Sequence, residues 1–371
     1  MIGLNDFKRQ WADTGPEVLR AVEQVGSSGW YILGESVRRF EQSLAAYWKL
    51  PYAVGVGNGL DALELSLRAL GCGAGDFVLT SPISAFATPL AILKTGATPV
   101  FADCDRFGLI DLDECEAILT SRPEIRYFVP VHLFGHCLDL DKLAAFRERF
   151  QLGVVEDCAQ SIGAYWRGRP AGSVGQFAAT SFYPTKNLGA MGDGGAVLNC
   201  KAEDAARIRQ LRDYGQSAKY VHDVIGYNSR LDELQAAILD SAFLPRLSGW
   251  LKTRRKIAGM YLDGIRSTSL RPVGAPEGSD SCWHLFPVLV DPGRKAEAIA
   301  YFKSKGILVG EHYPQALVEQ QAIPDRVRQA SSRCTRAREF CASELSLPIH
   351  PYLHDEEARQ VMAACNQWDS V

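Results

Sequence analysis

Apolar side chains recur along the first two hundred residues in two alternating rhythms. Val37, Phe40, Leu44 and Tyr47 are spaced by threes and fours, as are Leu60, Leu63, Leu67 and Leu70, so each set lines one face of a helix that packs on a core. Between such stripes stand short runs rich in β-branched and aromatic residues, at 52–56, 77–81, 98–102, 126–132, 153–157, 178–182 and 196–199, and these predict seven strands. Strands alternating with helices form βαβ units, which predicts an α/β fold around a mainly parallel seven-stranded sheet. From Arg230 to Leu262 the pattern is helical, and Pro272, Gly274, Pro276 and Gly278 then break it. A strand at 284–290, a helix at 295–305, a strand at 307–310 and two helical patterns ending near Ala364 complete the expectation. The predicted division is a large domain over 1–240, including the N-terminal segment, and a long connecting helix with a smaller C-terminal α/β domain over 241–371.

Composition narrows the function. With 371 residues, 47% hydrophobic and 22% charged, the chain has the make-up of a folded globular protein. Its 40 basic and 43 acidic side chains leave a net charge of −3 and are mixed along the sequence, so no basic face for a nucleic-acid backbone is expected. Apolar runs such as FVPVHLF (128–134) are far shorter than the roughly 20 residues of a membrane-spanning helix. The opening residues do not read as a secretory signal, and the ten cysteines include no C-x-x-C pair. Together these predict a cytoplasmic protein with reduced, mostly buried thiols.

The chemistry concentrates in VVEDCAQSIGAYWRGRPAGSVGQFAATSFYPTKNLGAMGDGGAV (154–197). A buried-type strand ends in Glu156 and Asp157, and the carboxyl ends of parallel strands are where α/β folds place ligands. Gln160 follows, and the next strand delivers Ser181, Tyr183 and Lys186 into a turn of small residues containing Gly189, Gly192, Gly194 and Gly195. Taken singly, Asp157 reads as a turn cap and Lys186 as a solvated lysine. Taken together, an acid, an amide, a hydroxyl, an aromatic ring and an amine at successive strand ends suit a charged heterocycle. At 59–60 a helix opens after a strand, so the N–H groups of Gly59 and Leu60 and the helix dipole can hold an anion.

These motifs carry a resemblance. The E-D-x-A-Q run at 156–160, SFYPTKNLGA at 181–190 and GDGGA at 192–196, with SGWYILGESVRRFE (28–41), GVGNGLDALELSLRAL (55–70), GYNSRLDELQAAIL (226–239) and LSLPIHP (345–351), are similar to the DegT-type sugar aminotransferases. That family consists of pyridoxal-phosphate (PLP) enzymes of fold type I. The resemblance implies that Lys186 condenses with the cofactor aldehyde, that Asp157 pairs with the pyridinium nitrogen, and that Gln160 sits near the ring's phenolic oxygen. It implies a phosphate held by Gly59, Leu60 and Ser181, with Asn228 reaching in from a partner subunit, and hence a homodimer. The family often has Thr in place of Leu60, so only the amide contact carries over there. It usually has a ring-stacking aromatic at the position of Ala85, where Phe86 is the neighbouring candidate.

For the substrate, Tyr183, the E-H-Y-P block at 311–314 with His312 and Tyr313, and the K-Y-x-H block at 219–222 resemble the branch acting on nucleotide-linked 3-keto-6-deoxyhexoses, with L-glutamate as amino donor. Alternatives are a 4-keto nucleotide sugar, a ketocyclitol, or a silent PLP-binding regulatory protein. A dehydratase branch has His at the Schiff-base position, and Lys186 argues against it. No metal is expected: His132 and His136 follow a strand, flank Gly135 and lack the Glu of an H-E-x-x-H helix. Position 60 is Leu, so Gly55, Gly57 and Gly59 do not complete a dinucleotide fingerprint.

Overall fold

The computed structural model describes residues 1–199 and 201–370. Seven strands form the main sheet: β1 (Tyr52–Val56), β2 (Phe77–Thr80), β3 (Thr98–Phe101), β4 (Ile125–Val129), β5 (Gly153–Asp157), β6 (Phe177–Ser181) and β7 (Gly195–Asn199). Their spatial order is β1-β7-β6-β5-β4-β2-β3. All neighbours from β6 through β3 pair in parallel, and β7 alone runs against both its neighbours. The carboxyl ends of the other six strands therefore share one edge, and β7 enters the sheet at that edge. Its first residue, Gly195, lies opposite Val56 on one side and Ser181 on the other.

The two stripes read from the sequence form α2 (Glu35–Trp48) and α3 (Gly59–Ala69), numbered after an N-terminal α1 (Phe7–Ser28). Phe40 and Leu44 of α2 are fully buried, as are Leu67 of α3 and Phe101, Phe128, Phe177 and Phe182 of the sheet layer. Each such side chain contributes about 1.5–3 kcal/mol by leaving water. Buried carboxylates fasten the elements. Glu233 accepts the N–H groups of Gly34, Ser36 and Val37 at the start of α2, and Glu41 holds Gly55 N–H and the Arg212 guanidinium.

Two local expectations need correction. The helical stretch after Arg230 is not continuous: Glu233–Ile238 passes through a π turn (Leu239–Phe243) and a 3-10 turn (Leu244–Arg246) into a second helix, Leu247–Gly264. Pro245 lacks the N–H that an uninterrupted helix would use. The run 307–310 is not a strand, for it makes only single bridges, Ile307 to Ile2 and Gly310 to Ser346. A second sheet is built instead from β8 (Leu270–Pro272), β9 (Phe286–Val290) and β10 (Glu344–Leu347). It shares a separate hydrophobic cluster with Tyr261, Phe302 and Trp368, whereas Leu317, Val327 and Phe340 pack into the core beside the main sheet. Nine cysteines are free and buried; Cys200 lies outside the described residues. Among these residues no helix is long and apolar enough to cross a membrane.

Candidate active site

The shared strand edge opens into a cavity of about 470 Å³, within the range of small-ligand sites. Asn58, Gly59 and Leu60 after β1, Ser84 and Ala85 after β2, Val131 after β4, Asp157 at the end of β5 and Ser181 at the end of β6 all line it. Lys186 comes from the turn after β6, tied by its own N–H to the Tyr183 carbonyl at 2.8 Å. Asp193 reaches in from the glycine turn before β7, and His284, His312 and Tyr313 close the far side. The start of α3 is pressed close to the sheet. A Cβ on Gly59 would sit 2.7 Å from Ser181 Cβ, and one on Gly195 2.4 Å from the Asn58 backbone, so only glycine permits this approach. Asn58 caps the helix by accepting Asp61 N–H, and the first-turn N–H groups before it have no intrahelical acceptor.

Asp157 is aimed by two donors. Thr88 Oγ1 donates to Oδ2 at 2.8 Å, and Ala159 N–H donates to Oδ1 at 3.1 Å. Burial pushes the Asp157 carboxyl up, opposed by those two hydrogen bonds and by the charge of Lys186. Burial pushes the Lys186 ammonium down to about 8, with Asp157 pulling the other way. The amine and the acid thus share the cavity and act on each other through their charges, with no salt bridge to Lys186 among the described residues. Gln160 is fixed at both ends: its oxygen accepts Phe134 N–H at 2.6 Å, and its Nε2 donates to Tyr313 Oη at 3.3 Å. Both cavity histidines are kept neutral near pH 7, since burial and the Lys186 charge push His312 down to about 4 and His284 well below its usual value.

The sequence matches a known family over most of its length. Residues 12–366 match the DegT/DnrJ/EryC1/StrS aminotransferase family. The chain belongs to this aminotransferase family. It is 40% identical over 368 residues to a dTDP-3-amino-3,4,6-trideoxy-alpha-D-glucose transaminase of Streptomyces venezuelae, covering 98% of this chain and 95% of that protein. It is 39% identical to a dTDP-3-amino-3,6-dideoxy-alpha-D-galactopyranose transaminase of Aneurinibacillus thermoaerophilus, covering 95% of each. Among solved structures, S. venezuelae DesV in complex with a ketimine intermediate superposes with a TM-score of 0.94 at 38% identity, covering 100% of this chain and 99% of that one. The fold-type-I α/β architecture expected from the sequence is therefore the architecture of this aminotransferase.

The aminotransferase gathers Gly59, Leu60, Asp157, Gln160, Ser181, Tyr183, Lys186, His312 and Tyr313 around one cavity. Asn228 is exposed and not among the lining residues, and Lys219, Tyr220 and His222 stand on an exposed hairpin. Phe86 is half-buried and packs against the core, while Ala85 and Ala87 line the cavity. Sequence reasoning missed Thr88, Asp193 and His284. Asp193 stood inside the quoted GDGGA motif, but Thr88 acquires its meaning only through a residue 69 positions away.

His132, Glu156 and Cys158 bring three metal-capable atoms together, but other bonds engage the first two. Glu156 accepts from Gly172, Val174 and Gly175 N–H groups and faces His132 Nε2 at 2.8 Å. The other nitrogen of His132 accepts Leu138 N–H, which leaves Nε2 carrying the proton toward Glu156.

Proposed function

We propose that this aminotransferase moves an amino group from L-glutamate to a dTDP-linked 3-keto-6-deoxyhexose, giving a dTDP-3-amino-3,6-dideoxyhexose, with pyridoxal 5′-phosphate as cofactor and pyridoxamine 5′-phosphate between half-reactions. The observation that carries this reading is the unpaired amine of Lys186 facing the Asp157 carboxylate in one cavity beneath the start of α3. The two transaminase relatives support the choice of sugar. When bound, the cofactor supplies a carbonyl for the amine and a protonated ring that withdraws electrons from the carbon losing its proton.

The chain's own residues supply the rest. A Lys186 amine shifted to about 8 has a sizeable neutral fraction near pH 7, as a nucleophile and proton carrier at Nζ needs. Thr88 and Ala159 hold the Asp157 carboxylate ready for a cationic ring nitrogen, and that positive charge would draw its pKa back down. Gln160 orients its amide beside the ring. Gly59 and Leu60 N–H groups and the Ser181 hydroxyl hold the phosphate, with Asn228 supplied across a homodimer interface. Tyr183, His312 and Tyr313 bind the sugar. In this reading 1–240 carries the cofactor, 241–371 closes over the substrate, and the enzyme works in the cytoplasm.

The test is a two-step turnover of purified protein loaded with PLP. L-Glutamate alone should release 2-oxoglutarate equivalent to the sites present, and the keto sugar added next should become a dTDP-amino sugar by mass spectrometry. Lys186→Ala should abolish both steps. Absence of 2-oxoglutarate would overturn the reading in favour of a silent cofactor-binding protein, and preference for a 4-keto nucleotide sugar or ketocyclitol would overturn the choice of acceptor.

A further inference from the structure

Behind the far wall of the cavity, three side chains form an unbroken line of hydrogen bonds. His312 faces the cavity, and its Nδ1 stands 2.9 Å from Ser346 Oγ. The Ser346 hydroxyl lies 2.6 Å from Glu344 Oε1, while Glu344 Oε2 accepts the backbone N–H of His312 at 2.6 Å. Glu344 and Ser346 have no solvent exposure. The pairing of Gly310 with Ser346 fastens the His312 loop to β10 through two backbone hydrogen bonds. The second ring nitrogen, Nε2, has no hydrogen-bond partner among the described residues and is left for whatever enters the cavity.

A serine hydroxyl has one proton and can donate to only one of two neighbours. With Glu344 ionised, Ser346 donates to the carboxylate and accepts from His312 Nδ1–H, so Nε2 is a bare acceptor. With Glu344 protonated, its O–H donates to Ser346, Ser346 donates to Nδ1, and the imidazole proton sits on Nε2. Between these states Nε2 takes one proton from the cavity, Nδ1 passes one to Ser346, and Ser346 passes one to Glu344. The imidazole is neutral in both, and nothing is oxidised or reduced.

We propose that Glu344 and Ser346 are positioning residues that set the tautomer of His312, and so decide whether Nε2 offers the substrate's keto oxygen a donor or meets it as an acceptor. The identity of that oxygen rests on the amination reading above. Burial pushes the Glu344 carboxyl up to about 7, against the Ser346 and His312 hydrogen bonds and Lys295, with Glu311 adding to the rise. Both states are then populated near neutrality. The other groups facing this line are few. Lys295 pairs with Glu311 at 2.7 Å and donates to the Cys341 carbonyl; Tyr313 lies beside Glu344; Lys186 and His284 face His312 from the cavity.

The test follows the ring nitrogens of His312 by 15N NMR in the full-length protein labelled at histidine, with assignment by His312→Gln. Wild type should pass from Nδ1–H to Nε2–H as pH falls through about 7. Glu344→Gln, whose amide donates permanently, should hold the Nε2–H form at every pH, and the smaller change Ser346→Ala should abolish the pH response. In turnover, kcat/KM for the keto sugar should fall about tenfold per pH unit above that break in wild type and stay level in Glu344→Gln. A purely structural role for Glu344 predicts a uniform loss with an unchanged profile. A wild-type tautomer that does not respond to pH, or a response that survives both substitutions, would overturn the proposal. The tautomer measurement needs no substrate, so its failure is distinct from failure of the amination reading, which would show as a wild type without turnover.

Discussion

Thr88→Val removes one hydroxyl and nearly nothing else. The side chain is almost fully buried, and valine fills its volume. The lost hydroxyl donates to Asp157 Oδ2 at 2.8 Å and stands 2.7 Å from Ser84 Oγ. With its own proton committed to the carboxylate, Thr88 must accept from Ser84. A hydrogen bond to a charged group contributes about 1.5–3 kcal/mol and one between neutral groups about 0.5–1.5 kcal/mol. Where Asp157 is ionised, the substitution should therefore cost about 2–4 kcal/mol in the apoprotein.

The sign of the pH dependence follows from the Asp157 shift. Its folded-state pKa is raised by burial, so the neutral carboxyl contributes stability that is fully present below the unfolded-state pKa and is lost as pH rises to the folded-state value. Removing the Thr88 donor raises it further, so the variant loses more than wild type over the same window. Below the folded-state pKa the carboxyl is neutral in both proteins, and the difference should shrink to about 1 kcal/mol, the worth of neutral hydrogen bonds. Urea unfolding of both apoproteins at one protein concentration, from about pH 8 down to the lowest pH at which the fold persists, reads this directly. A difference that stays constant with pH would refute the assignment of Thr88 as a donor to an ionised Asp157.

Three further outcomes follow from the same geometry. The initial rate of PLP capture by the apoprotein should rise with pH through about 8 and level off as Lys186 loses its proton, and Asp157→Asn should move the rise to lower pH by removing the charge that retains it; stopped-flow absorbance checks both. Gly59→Ala places a Cβ 2.7 Å from Ser181 Cβ and should lift the first turn of α3, lowering PLP affinity about tenfold or more, or about 1.4 kcal/mol, in equilibrium dialysis with far-UV circular dichroism unchanged. Glu156→Gln replaces a buried acceptor of three backbone N–H groups and the His132 ring and should cost about 3–5 kcal/mol in denaturant unfolding; a loss under about 1 kcal/mol would sink that role.

The sheet was legible because its strands are buried on both faces, and such strands must be continuous apolar runs. Two of the seven, 52–56 and 153–157, fall where the pattern put them, and most of the rest move by a residue at an end. The continuous strand within the run 126–132 ends at Val129, although Val131 still bridges Asp157 of β5. The segment 307–310 shows the limit of such reasoning. Ile307 is buried and Leu308 is not, so its alternation is that of a strand, yet Ile2 and Ser346 each take only one of its ends. Periodicity reports which side chains face inward, not whether a partner strand runs alongside.

The site divides along the same line. Asp157, Ser181 and Lys186 could be found because parallel strands carry their carboxyl ends to one edge, so local sequence there is also spatial neighbourhood. Thr88 and His284, and the Glu344 and Ser346 pair behind His312, could not. Each acts through a partner that the chain reaches by crossing an element or a domain-sized stretch of sequence. The groups proposed to meet the cofactor are thus written in contiguous motifs, whereas the groups that hydrogen-bond them from behind are written in the packing. Substitutions at the second kind should accordingly change pH profiles before they change what the enzyme binds.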